Sequence, residues 1–172
     1  MTILDPTRID IATDPTARRM RGVARHGHTP FDVPFISEIE HNLWQGGCAN
    51  GMVLPRNIVH VVSLYPWEKY TLHDGVRGEH YIEMYDSEDQ GLGQVDEIAQ
   101  MVNICRADGP TLVHCQAGLN RSSLIAARAL WRDTDLGFGT GAEIVALLRE
   151  KRSPACLCNP AFEAEVCSWG AA

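Results

Sequence analysis

Thirteen residues, Thr111 to Ser123 (TLVHCQAGLNRSS), constrain this chain more than any other stretch. After the Gly109-Pro110 breaker, Thr111–His114 reads as a buried strand. It ends at Cys115, a short loop follows, and Arg121 opens an Ala- and Leu-rich helix from Ser122 to Trp131. Strand, tight loop and buried helix make up the local plan of an α/β sheet. The same plan sets up chemistry. The amides of Gln116, Ala117, Gly118, Leu119, Asn120 and Arg121 can turn inward beside the positive end of the helix, forming an oxyanion cradle. Gly118, with no Cβ, supplies the curvature through φ > 0. Arg121 adds a planar fork for two oxygens. These donors also favour the thiolate form of Cys115, which is the nucleophilic form. Ser122 or Ser123 is placed to hydrogen-bond the sulfur.

The rest of the chain supports a sheet. Leu43–Gln45 reads as an edge strand, Ile58–Leu64 as a strand buried on both faces, and His80–Met84 as a third. Val95, Ile98, Ala99, Val102 and Cys105 recur at helical spacing and predict a helix over Gln94–Arg106. Thr140 with Glu143 is a capping-box pattern for a helix running to about Arg152. Asn159-Pro160 starts a last helix, with Phe162, Val166 and Trp169 as its packed stripe. The expectation is a single α/β domain, a central and largely parallel sheet flanked by helices, with Cys115 at the C-terminal end of a middle strand.

Charge and cysteine usage narrow the function. Residues 1–30 hold five Arg and three Asp, net +2, while the remainder holds 10 basic and 19 acidic side chains, net −9. So acidic a body disfavours nucleic acid. Residues 1–30 show no sustained period and read as a flexible, Arg-containing arm, draped over the core or free of it; residues 31–172 read as the catalytic domain. Arg18–Arg25 is the part of the arm suited to an acidic partner. Six cysteines in no zinc spacing, with no secretory pattern over Met1–Asp10, read as reduced thiols. No apolar run reaches membrane-spanning length. The expected location is cytoplasmic, away from membranes.

His114-Cys115-x5-Arg121-Ser122 resembles the signature loop of the cysteine-dependent protein tyrosine phosphatase superfamily. The short chain is more similar to its dual-specificity branch. The likeness spans Ser37 to Trp169: Leu43–Gly47 resembles the opening strand, Ile58–Leu64 the core strand, and Arg152–Phe162 the closing segment. The resemblance implies a phosphotyrosine-phosphatase-like fold and a two-step phosphomonoester hydrolysis with no cofactor or metal. In it, Cys115 attacks phosphorus while Arg121 and the loop amides hold the oxygens, and water later hydrolyses the cysteinyl-phosphate. It implies a general acid on a loop after a strand, some thirty residues before the cysteine. Asp86, Glu88 and Asp89 are the candidates, and Asp86, 29 residues upstream and nearest the strand end, is preferred. For His114 it implies a supporting role, bonded to backbone near the thiolate.

The expected substrate is a phosphorylated protein or peptide. The loop lacks the lysines common in inositol-phosphate enzymes of the superfamily, whereas Gly118-Leu119-Asn120-Arg121 resembles RNA 5′-triphosphatases. An RNA 5′-phosphatase, a phosphoinositide or small-metabolite phosphatase, and a phosphate-binding module without turnover are the alternatives. Trp67, Tyr70, Tyr81 and Tyr85 are candidates to line a cleft for a phosphotyrosine ring. Cys48, Cys105 and Cys156 are candidates to resolve an oxidised Cys115. Asn120-Arg121-Ser122 matches a glycosylation pattern only by accident.

Overall fold

The computed structural model describes residues 14–170. Five strands form one sheet in the order β3-β4-β7-β5-β6: β3 (Ile36–Glu40), β4 (Leu43–Gly46), β7 (Thr111–His114), β5 (His60–Ser63) and β6 (Gly78–Tyr81). The pairs β4·β7, β7·β5 and β5·β6 are parallel, and only β3 runs antiparallel to its neighbour β4. The expected largely parallel α/β architecture is present, with β7 at the centre. Strands β5 and β7 are buried at every residue, which explains why Val61-Val62 and Leu112-Val113 are apolar without alternation.

Four helices flank the sheet: α1 (Leu92–Asp108), α2 (Arg121–Arg132), α3 (Gly141–Lys151) and α4 (Pro160–Ser168). Helix α2 is the innermost. Leu124, Ile125, Ala126, Ala127, Ala129 and Leu130 have no exposure, so it is surrounded on most sides. Arg128 and Arg132 reach from α2 to Asp96 of α1 at 2.6 and 3.2 Å, tying the two helices at the surface. At the start of α3, Glu143 accepts from the N–H groups of Gly139 and Thr140. The Asn159 side chain accepts from Ala161 N at 3.1 Å, capping α4 as its sequence predicts.

Four elements differ from the expectation. Leu43–Gly46 is not an edge strand, because β3 pairs with it on the side away from β7. The edge strand at the far side is Gly78–Tyr81 rather than His80–Met84, because its ladder with β5 ends at Ser63↔Tyr81. Met84 is buried beyond the end of that ladder, where its N–H donates to Leu64 O at 3.3 Å. Strand β3 was not foreseen: a bulge between Glu38 and Glu40 buries both Ile36 and Ile39, three apart, and breaks the period of two. Residues 19–34, which straddle residue 30, form an antiparallel hairpin of β1 (Arg19–Val23) and β2 (Pro30–Pro34) that the sequence pattern did not show. Residues 1–13 of the expected arm lie outside the described residues. Among the described residues no helix is long and apolar enough to cross a membrane.

Candidate active site

Cys115 directly follows β7, at the C-terminal end of the central strand, and is 2% exposed. The loop beyond it is built by an accounting of carbonyls. Gln116 O accepts from Cys48 N (3.1 Å), and Ala117 O from Arg152 Nη2 (3.2 Å). Gly118 O accepts from Arg152 Nε (2.6 Å) and Gln45 Nε2 (3.0 Å). Leu119 O accepts from Leu157 N (2.8 Å), and Asn120 O from Leu124 N (2.8 Å). All five carbonyls are thus engaged by partners other than the sulfur. Gly118 N–H donates to Cys115 Sγ at 3.2 Å. No hydrogen bond among the described residues claims the N–H groups of Gln116, Ala117, Leu119 or Asn120.

Gly118 has φ +68°, and a Cβ there would lie 2.2 Å from the backbone of Gly46. The positive φ is the one expected, and the close approach, which the structure adds, likewise admits only glycine. Gly47 is confined by space alone, a Cβ there standing 2.5 Å from Gln116 O. Ser122 Oγ is 3.4 Å from Cys115 Sγ, while Ser123 Oγ accepts from Gln45 Nε2 at 2.5 Å. Of the two serines, Ser122 is the partner of the sulfur.

His114 is 1% exposed, with its ring edge-on to Tyr70 and its Nδ1 3.3 Å from Cys115 O. A carbonyl only accepts, so Nδ1 carries the proton. Burial pushes the His114 pKa down to about 4, against which the backbone bond pulls only weakly, so the ring is neutral at physiological pH. It faces the backbone beneath the cysteine rather than the cleft.

Arg121 and Asp86 meet Cys115 in one cavity of about 210 Å³, with Ala24, Arg25 and Phe31 of the hairpin closing it. The Arg121 guanidinium lies over the Tyr65 ring at 5.1 Å and donates from Nη1 to Met84 O at 3.2 Å; its Nε is buried without a partner. Asp86 Oδ2 accepts from Asn120 Nδ2 (3.0 Å), and Oδ1 from Asn159 Nδ2 (2.9 Å). The loop residue Asn120 thus ties Asp86 to the cradle. Glu88 and Asp89 are exposed and line neither this cavity nor its neighbour.

That neighbouring cleft, about 390 Å³, continues past Asp86, Arg25 and Arg121 to a wall of Tyr65, Pro66, Trp67 and Tyr85. Two of the four proposed aromatic liners are elsewhere. Tyr70 is buried behind the loop and donates to Gly47 O, and Tyr81 lies under the Lys69 ammonium. Tyr65, not foreseen, takes their place.

Gln45 and Arg152 also escaped sequence reasoning. Gln45 is fully buried in β4, and a lone amide inside a buried strand is the signal that it serves a neighbour. Arg152 is 6% exposed and donates to Pro34 O, Phe35 O, Ala117 O and Gly118 O, joining hairpin, sheet and loop. Burial lowers its pKa, and Cys156, Cys115 and Tyr70 oppose that shift. Among the described residues no three His, Cys, Asp or Glu side chains converge as a metal site requires.

No family model matches this chain, and no curated protein matches its sequence. Solved structures match its fold. Human DUSP28 is 22% identical with a TM-score of 0.61, over 77% of this chain and 90% of that one. A mouse putative dual specificity phosphatase is 19% identical with a TM-score of 0.60, over 78% and 87%. OH1 from the Orf virus, a tyrosine phosphatase with triple substrate specificity, is 20% identical with a TM-score of 0.57, over 76% and 83%. The chain has the fold of these phosphatases.

Proposed function

We propose that this protein is a phosphomonoester hydrolase that works through a cysteinyl-phosphate on Cys115. The observation that carries the reading is the outward bonding of all five loop carbonyls around a buried cysteine sulfur. An amide cup of this kind fits the three equatorial oxygens of a phosphoryl group in transfer. The Cys115 thiolate forms the S–P bond as the ester P–O bond breaks. Arg121, released from Met84 O, places its fork on two of the oxygens. Asp86 gives its proton to the departing oxygen, and the carboxylate left behind takes a proton from the water that later cleaves the S–P bond. Ser122 donates to the sulfur as it leaves.

The favoured substrate is a phosphorylated protein or peptide. The aromatic wall of Tyr65, Trp67 and Tyr85 beside the cavity supports a phosphotyrosyl ring, and the loop between Cys115 and Arg121 carries no charge of its own. The test is hydrolysis of p-nitrophenyl phosphate with EDTA present, between about pH 5 and 8, wild type beside Cys115→Ser. Turnover in the wild type that vanishes in the folded variant is the expected result. Unchanged turnover in Cys115→Ser would refute the mechanism, and a folded, reduced wild type without turnover would favour a phosphate-binding module.

A further inference from the structure

We propose that His26, at the tip of the N-terminal hairpin, is a positioning residue that shares the working proton of Asp86. The inference rests on reading Asp86 as the general acid. The hairpin tip turns at Gly27 (φ +69°) and His28 (φ 52°), and it is seated against the segment before α4, where a Cβ on Gly27 would meet Cys158. This seat brings His26 Nε2 to 3.5 Å from Asp86 Oδ1. The nitrogen is buried and has no hydrogen-bond partner of its own.

The surroundings of Asp86 give that nitrogen its significance. Asn120 Nδ2 and Asn159 Nδ2 are side-chain amides, which donate and never accept. Both favour the carboxylate anion, whereas a general acid must hold a proton and offer it. A protonated Asp86 needs an acceptor, and His26 Nε2, 3.5 Å from Oδ1 and without a hydrogen-bond partner, is placed to be one. Aspartate and imidazole can hold one proton in two arrangements, on Oδ1 or on Nε2. The pair therefore offers the working proton a second site that the carboxyl group alone lacks. On transfer the Oδ1–H proton passes to the leaving oxygen as the P–O bond breaks, and a proton that sits on Nε2 moves through Oδ1 to the same place. The titratable and charged groups around the pair are Arg25 beside His26, Glu83 and Tyr85 on the Asp86 segment, Cys115 and Arg121 from the loop and α2, and Cys158 before α4.

The experiment is a set of pH–rate profiles for wild type, His26→Phe, His26→Gln, Asp86→Asn and the double variant Asp86→Asn/His26→Phe. The substrates are phenyl phosphate, a poor leaving group, and p-nitrophenyl phosphate, a good one. Loss of His26 is expected to move the basic limb with phenyl phosphate to lower pH by about one unit or more. The loss at neutral pH should be roughly tenfold larger with phenyl phosphate than with p-nitrophenyl phosphate. Glutamine carries no proton in this range, so His26→Gln should show the same shift. In the Asp86→Asn background the His26 change should cost nothing further. An unshifted basic limb in His26→Phe, full rescue by His26→Gln, or additive losses in the double variant would each overturn the proposal. Asp86→Asn with an unchanged dependence on leaving group is a separate failure, that of Asp86 as the acid, and His26 would fall with it.

Discussion

At the scale of single residues, the site is held from behind. The cradle exists because Arg152, Gln45 and three backbone amides pull the loop carbonyls away from Cys115. Arg152→Met removes the donors to Ala117 O, Gly118 O and Phe35 O while keeping much of the buried volume. We expect a stability loss of about 2–5 kcal/mol, with weaker inhibition by inorganic phosphate in the same variant. Urea unfolding and phosphate inhibition measure the two, and undiminished phosphate affinity in a destabilised variant would show that the loop keeps its shape without Arg152. The residues proposed to touch the reacting atoms were legible because their chemistry is local: cysteine, glycine, arginine and serine within eight positions. Arg152, His26 and Tyr65 were not, because each acts across 30 or more positions of sequence and carries no mark of its destination. Asn159 was readable only in part, as the cap of α4; its second amide atom, on Asp86, depends on the fold.

At the scale of elements, helices were easier to read than strands. Caps and a period of 3.6 are written into contiguous residues, and α3 and α4 begin where their caps predict. The strands depend on partners. Strand β3 hides behind its bulge, and β1 and β2 hide because the hairpin is mostly exposed and bounded by Pro30 and Pro34. The Ala-rich sequence of α2 has a testable consequence, since the helix that carries Arg121 and Ser122 has no spare room. Ala126→Leu should cost about 1–3 kcal/mol or more by overpacking. Ile104→Ala, on the exposed face of α1, should stay within about 0.5 kcal/mol of wild type. Chemical denaturation of the two variants checks this, and a neutral Ala126→Leu would mean that the interior around α2 yields more readily than its burial indicates.

At the scale of the whole molecule, the buried site couples stability to pH. His114 titrates near 4 when folded and near its ordinary value of 6.5 when unfolded. Between those values the unfolded chain binds a proton that the folded chain refuses, so stability falls as pH falls through this window. The loss amounts to about 3 kcal/mol and levels off below pH 4. His114→Asn, which keeps a donor for Cys115 O, should flatten that part of the curve in urea unfolding at a series of pH values. A variant as pH-sensitive as the wild type would place the effect in other groups. The net −9 of residues 31–172 accords with the proposal that phosphate is held by one small cup of donors rather than by a basic surface. That cup makes Cys115 the centre of the account, and the most direct measurement is of the bond it is proposed to form. Wild type mixed rapidly with p-nitrophenyl phosphate, quenched in acid and digested should yield a peptide heavier by one phosphoryl group, with the modification on Cys115. Phosphate on any other side chain, or continuing turnover with Cys115 never modified, would contradict it.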